Sequence, residues 1–203
     1  MSEIGLRARK KQRMYRTVSD TAIRLFLEKG FDAVSVAEVA AAAEISKPTL
    51  FRYFPAKEDL VLYRIADHED EAARVVRQGA SPVEALRRHF LDGLERRDPL
   101  TGLNDEPEVL AFHSLLYGTP ALVARLYAYL ERSEAALAQA LGGDLDARLA
   151  AGQIVAVQRI LAQENWRRIA GGERAADVKA AAVAAAERAF DLLEAGLPGP
   201  AGR

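Results

Sequence analysis

Apolar residues recur at helical spacing along almost the whole chain. Nowhere do they alternate with polar residues in the β-branched runs of a strand. The pattern predicts an all-α protein. Val18, Ala22, Leu25 and Phe26 give an apolar face to a first helix over about 9–28. Lys29-Gly30 ends it, with Gly30 free to take the left-handed conformation. Ser35 and Glu38 read as a capping box, so a short second helix starts at Val36 and runs to about Ala43. Glu44-Ile45-Ser46 breaks the chain. Ser46 caps a third short helix with Pro48 in its first turn, where a missing N–H costs nothing, and Pro55 stops it.

Six further helices follow by the same punctuation. A fourth runs without a breaker over about 57–78, and Ser81-Pro82 opens a fifth to about Arg97. After a loop over 98–105, Glu106-Pro107 opens a sixth and Thr119-Pro120 a seventh to about Leu141. Asp144 caps an eighth that ends at Gly171-Gly172, and a ninth covers about 174–195. The tail over 198–203 is expected to be disordered.

The two short helices behind a longer first one have the proportions of a helix-turn-helix unit. Val36, Val39 and Ala40 pack inward, Ile45 fills the turn, and Leu50 and Phe54 anchor the third helix. The opposite face of that helix then carries Lys47, Thr49, Arg52 and Tyr53, a set that can donate hydrogen bonds to phosphates and base edges. A helical hairpin with a plain polar face is the alternative.

Charge sharpens the choice. The 203 residues carry 28 Lys and Arg against 29 Asp and Glu, a net charge of −1 that argues against a nucleic-acid partner. The total is a cancellation. Residues 1–66 hold twelve basic and eight acidic residues, and the excess of acids lies in the remainder. Arg7, Arg9, Lys10, Lys11, Arg13 and Arg16 crowd the first sixteen positions beside a single acid, Glu3. A basic arm ahead of a helix-turn-helix follows the DNA backbone or enters the minor groove.

The stretch over 21–60, TAIRLFLEKGFDAVSVAEVAAAAEISKPTLFRYFPAKEDL, resembles the DNA-binding domain of the TetR family of bacterial transcriptional regulators. The resemblance rests on Ala22 and Phe26 ahead of Gly30-Phe31, on Ser35-Val36, Val39-Ala40 and Ile45-Ser46. It continues through Thr49-Leu50-Phe51, Tyr53-Phe54 and Lys57-Glu58-Asp59-Leu60. Beyond Asp67 it is architectural only, although the Ala- and Arg-rich second half is similar in style to actinobacterial members. It implies a DNA-binding head over 1–56, with its basic arm, and a ligand-binding and dimerisation body over 57–197.

Residue roles follow from the same likeness. Arg9, Lys10, Lys11 and Arg13 would lie on the arm, and Ser35 and Ser46 would sit at helix starts facing phosphate. Lys47, Pro48 and Thr49 would meet bases, Arg52 a phosphate or guanine edge, Tyr53 the backbone and Lys57 a phosphate. Phe51 stands where the family usually has Tyr, so a phosphate hydrogen bond is lost there. The implied function is a repressor that a small molecule releases from a palindromic operator.

The body carries weaker signals. Polar and aromatic residues among apolar neighbours suggest a ligand pocket: His89, Phe90, Phe112, His113, Tyr117, Tyr127, Gln158, Asn165 and Trp166. Small and apolar residues on the last two helices suggest a homodimer interface: Ala151, Val155, Val183, Ala186, Phe190 and Leu193. No H-x₃-H spacing joins His68, His89 and His113, so neither metal nor cofactor is expected. No G-x-S-x-G, H-E-x-x-H, phosphate loop or cysteine is present, which argues against an enzyme. No run approaches the ~20 apolar residues of a membrane span and no signal peptide precedes the basic arm, so a cytoplasmic protein is expected. The competing reading is a helical ligand-binding or interaction protein with weakened DNA binding.

Overall fold

The computed structural model describes residues 3–66, 68–77 and 81–196, with the side chains of 3–11 outside that description. The tail expected to be disordered lies outside the described residues. Among them the chain forms ten α-helices: α1 (Glu3–Lys29), α2 (Val36–Ala42), α3 (Lys47–Tyr53), α4 (Asp59–Ala66), α5 (Glu71–Val76), α6 (Pro82–Glu95), α7 (Pro107–Gly118), α8 (Pro120–Leu141), α9 (Leu145–Ala170) and α10 (Ala175–Gly196). A single 3₁₀ turn (Pro99–Thr101) lies between α6 and α7. The all-α reading and the head-then-body order hold.

Two helices read differently. α1 begins at Glu3 and not near Arg9, so the basic residues expected on an arm ahead of it lie within the helix. The expected fourth helix is two, α4 and α5, because His68, Glu69, Asp70 and Glu71 interrupt the apolar period. Adjacent carboxylates repel inside a helix but are favoured at the start of a new one. Glu71 sits there, and its carboxylate holds two histidines: His68 Nδ1 at 2.6 Å and His89 Nε2, from α6, at 3.3 Å. Those two contacts hold the Glu71 carboxyl well below the usual carboxylate range and raise the pKa of His89.

The helices form two compact units, residues 1–67 with 111–127, and residues 68–110 with 128–203. The first unit is built on α1. The four residues of its expected apolar face, Val18, Ala22, Leu25 and Phe26, are all buried, with Val39, Ala40, Leu50, Phe54, Leu60 and Val61 around them. Ser19 Oγ, fully buried, donates to Leu60 O at 2.7 Å and ties α1 to α4. The second unit buries Leu86, Phe90, Leu94, Leu103, Leu137, Ala151, Ile154, Val178, Ala186 and Phe190 in one core. Among the described residues no single helix is long and apolar enough to cross a membrane.

Five of the six side chains expected at a dimer interface lie in that second core. Ala151, Val155, Ala186, Phe190 and Leu193 are buried within the chain, and Val183 packs against them. The small residues let α9 and α10 approach inside one chain, so their surface is already used. The outward faces carry other apolar residues: Leu145, Leu149 and Ile160 along one side of α9, and Leu192 on α10, which is 75% exposed.

Candidate nucleic-acid interface

Local sequence builds the head. Gly30 takes φ 89° and its N–H returns to Phe26 O, which closes α1. Ser35 Oγ accepts from Glu38 N at 3.1 Å, which makes the N-cap half of the expected capping box. Lys29 holds the Glu38 carboxylate. The turn into α3 passes through Glu44 at φ 55°, with Ile45 N bonded to Ala40 O. Ser46 Oγ then accepts from Thr49 N and shares a 2.7 Å hydrogen bond with Thr49 Oγ1.

This geometry turns Leu50 into the core and leaves Lys47, Pro48, Phe51 and Arg52 exposed together on one face of α3. Thr49 and Tyr53 are half-buried. The Arg52 guanidinium lies 5.1 Å from the Tyr53 ring centroid and donates to its hydroxyl at 3.3 Å. Arg13 is exposed on α1, and Ser35 and Ser46 are exposed at their helix starts. Arg9, Lys10 and Lys11 lie on the backbone of α1, outside the described side chains.

Lys57 has a different place from the one expected. Its ammonium sits 4.3 Å from the Phe31 ring centroid and 5.4 Å from that of Phe26, and it donates to Phe31 O. It staples the α1–α2 loop to the start of α4 instead of standing free for phosphate.

Three contacts escaped the sequence reading. Tyr15 stacks on Tyr63 at 5.1 Å and meets Tyr53 and Phe54 edge-on, so α1, α3 and α4 share one aromatic cluster. Asp59 accepts two bonds from Arg125 of α8, at 2.8 and 3.0 Å, and a third from Ala56 N. Arg64 on α4 pairs with Asp20 on α1 at 2.8 Å, and its guanidinium lies 5.8 Å from the Phe112 ring centroid on α7. Each spans many residues of chain and follows no period. The only local hint was an aromatic residue, Tyr15, placed inside a basic arm.

The residues expected in a pocket divide between the two units. Phe112, His113, Tyr117 and Tyr127 lie in the first, and His89, Phe90, Gln158, Asn165 and Trp166 in the second. Phe90 is core, with its ring 6.2 Å from that of Phe190. Asn165 donates to Thr101 O at 2.9 Å and so holds the 3₁₀ turn. Gln158 and Trp166 are half-buried on α9, and Tyr127 is 50% exposed.

His113 differs from all of these. It is 8% exposed, its ring lies about 6 Å from those of Phe112 and Tyr117, and the described residues offer its Nδ1 no hydrogen-bond partner. Burial pushes its pKa down to about 4, so the ring is neutral at pH 7. A base whose pKa falls on folding contributes fully above its unfolded value near 6.5 and loses that contribution as pH drops towards 4. Thermal melts of the wild type should therefore lose about 2 kcal/mol between pH 6.5 and 4 that His113→Phe does not lose. Parallel curves for the two proteins would disprove it.

A helix-turn-helix whose outward face joins cations to an aromatic ring, carried on an otherwise helical body, defines a DNA-binding transcriptional regulator. The comparisons with known proteins agree. Residues 19–63 match the family model described as bacterial regulatory proteins, tetR family. The chain is 32% identical over 177 residues to the HTH-type transcriptional regulator TcmR of Streptomyces glaucescens, covering 81% of this chain and 78% of that protein. The chain belongs to the TetR family.

Solved structures agree in fold. Native NalD of Pseudomonas aeruginosa, the secondary repressor of the MexAB-OprM multidrug efflux pump, superposes with a TM-score of 0.57 at 17% identity. The match covers 95% of this chain and 100% of that one. The regulator FadR of Bacillus subtilis, in complex with stearoyl-CoA, gives 0.54 at 18% identity over 91% and 100%. Sequence relatives come from Streptomyces and from Bacillus, so the link to actinobacterial members is weak.

Proposed function

We propose that the protein is a cytoplasmic repressor that binds a palindromic operator as a homodimer and leaves it when a small molecule binds the body. The single observation that carries the DNA-binding part is the outward face of α3, where Lys47, Pro48, Phe51 and Arg52 stand exposed together. The domains divide as a head over 1–56 and a body over 57–197. One short helix reads few base pairs, and helix-turn-helix proteins answer this by pairing half-sites one helical turn apart. The exposed Leu149, Ile160 and Leu192 supply apolar surface on α9 and α10 for the second copy.

Release by a ligand is supported by His113. A buried nitrogen without a partner costs free energy, and a ligand that bonds to it removes that cost. Phe112, beside it, faces Arg64 of α4, and Arg64 holds Asp20 of α1. A ligand that shifts α7 thereby acts on the two helices that carry α3. Affinity for DNA falls by the ligand's difference in binding energy between the two states.

Fluorescence anisotropy on a random duplex, repeated over a range of salt, tests the DNA-binding reading. Affinity should fall steeply as salt rises, and Lys47→Ala and Arg52→Ala should each reduce the log–log slope by about one. Lys57→Ala should leave the slope unchanged, because its ammonium is already held by Phe31. No binding at ~50 mM salt would refute the reading and favour a helical ligand-binding protein.

A further inference from the structure

We propose that Phe51 reads the C5-methyl group of a thymine in the major groove, so that a T·A pair at one fixed position of each half-site determines specificity. The proposal rests on the DNA-binding reading of α3. Phe51 is 42% exposed at the middle of the outward face, whereas its apolar neighbours Leu50 and Phe54 are buried. The buried residue of this seven-residue helix is Leu50, and the Phe51 ring leaves much of its surface outside the core of the head.

The surroundings of the ring define what it fits. Lys47 Nζ lies 5.9 Å from its centroid, and Arg52, the next residue, is exposed. A phenyl ring donates no hydrogen bond and so cannot hold a phosphate. The partner therefore offers an apolar spot within a field of negative charge and hydrogen-bond acceptors. In the major groove only thymine presents a methyl group, beside its own O4 and the N7 of neighbouring purines. Lys47 has acceptors within reach while the ring covers the methyl. An acidic protein surface offers the same chemistry, but four residues on two helical turns fall far below the ~800 Å² per partner of a stable protein interface.

The test removes the methyl alone. A random duplex library is selected with the full chain, and the enriched duplex is remade with deoxyuridine in place of each thymine in turn. At one thymine per half-site the wild type should bind about fourfold more weakly, and roughly fifteenfold when both half-sites are changed. Phe51→Ala should bind the thymine and uracil duplexes equally. Phe51→Leu, which keeps apolar contact, should retain a preference for thymine. Unchanged melting temperatures would confirm that both variants fold. An enriched sequence in which no thymine responds, or to which Phe51→Ala responds as the wild type does, overturns the proposal. Failure to enrich any sequence removes the DNA-binding reading and the methyl contact with it.

Discussion

Gly102→Ala should destabilise the protein by about 4 kcal/mol, which for a chain of this size lowers the melting temperature by roughly 8–16 °C. Two effects add. Gly102 adopts φ 71°, a left-handed conformation that costs an alanine about 1–2 kcal/mol. A methyl group there would also clash with Ala162 O, with Trp166 N at 3.0 Å. Both neighbours are backbone atoms of α9, so no side-chain rotation relieves the clash and the turn has to lift away. Asn165 would then lose Thr101 O, and the bonds that Asp98 makes to Leu100 N and Thr101 would loosen. Gly118→Ala is the control. It lies in α7, where an added methyl group meets only open space, so it should be neutral or slightly stabilising. Thermal melts followed by circular dichroism distinguish the two, and a loss below 1 kcal/mol for Gly102→Ala would mean that the turn does not dock on α9.

Arg125→Leu should cost about 3 kcal/mol. Asp59 has a side chain only 7% exposed and receives both Nε and Nη2 of Arg125. Without the guanidinium a carboxylate stays buried with much less compensation. The lower end of the usual range applies because the Arg125 side chain is itself 37% exposed. Asp59 also accepts from Ala56 N, so the damage should reach the start of α4 and the connection from α3. Adding Asp59→Asn removes the uncompensated charge and should recover part of the loss. Urea titration of the wild type, the single and the double variants measures it. A double variant no more stable than Arg125→Leu would show that burial of the charge is not the cause.

Much of the head was legible because its signals are local. Ser35 with Glu38, Ser46 before Pro48, and Gly30 after Lys29 each fix a helix end within a few residues, and the structure uses all of them. The burial of Val18, Ala22, Leu25 and Phe26 followed from period alone. The split between α4 and α5 was harder to see, since no glycine or proline marks it and only the acidic run over 69–71 does.

The rest depended on contacts between distant parts of the chain. Lys57 was legible as a cation at the start of a helix, yet only the packing of Phe26 and Phe31 decides that its ammonium is held against their rings. Ala151 and Ala186 were legible as small residues that permit close approach, but sequence does not say whether the approaching helix belongs to the same chain. It does, and both are buried in one core. Asn165 was legible as a polar residue among apolar ones, and its partner, Thr101 O, lies 64 positions away.

By itself the sequence determined the all-helical class, most helix ends and the face of α3, because period, caps and breakers act over a few residues. Tertiary structure alone decided which charges are free and which are held, which apolar faces are used up, and which buried group lacks a partner. Those outcomes depend on what distant segments bring alongside a side chain. For the same reason the net charge of −1 says little about what this protein binds.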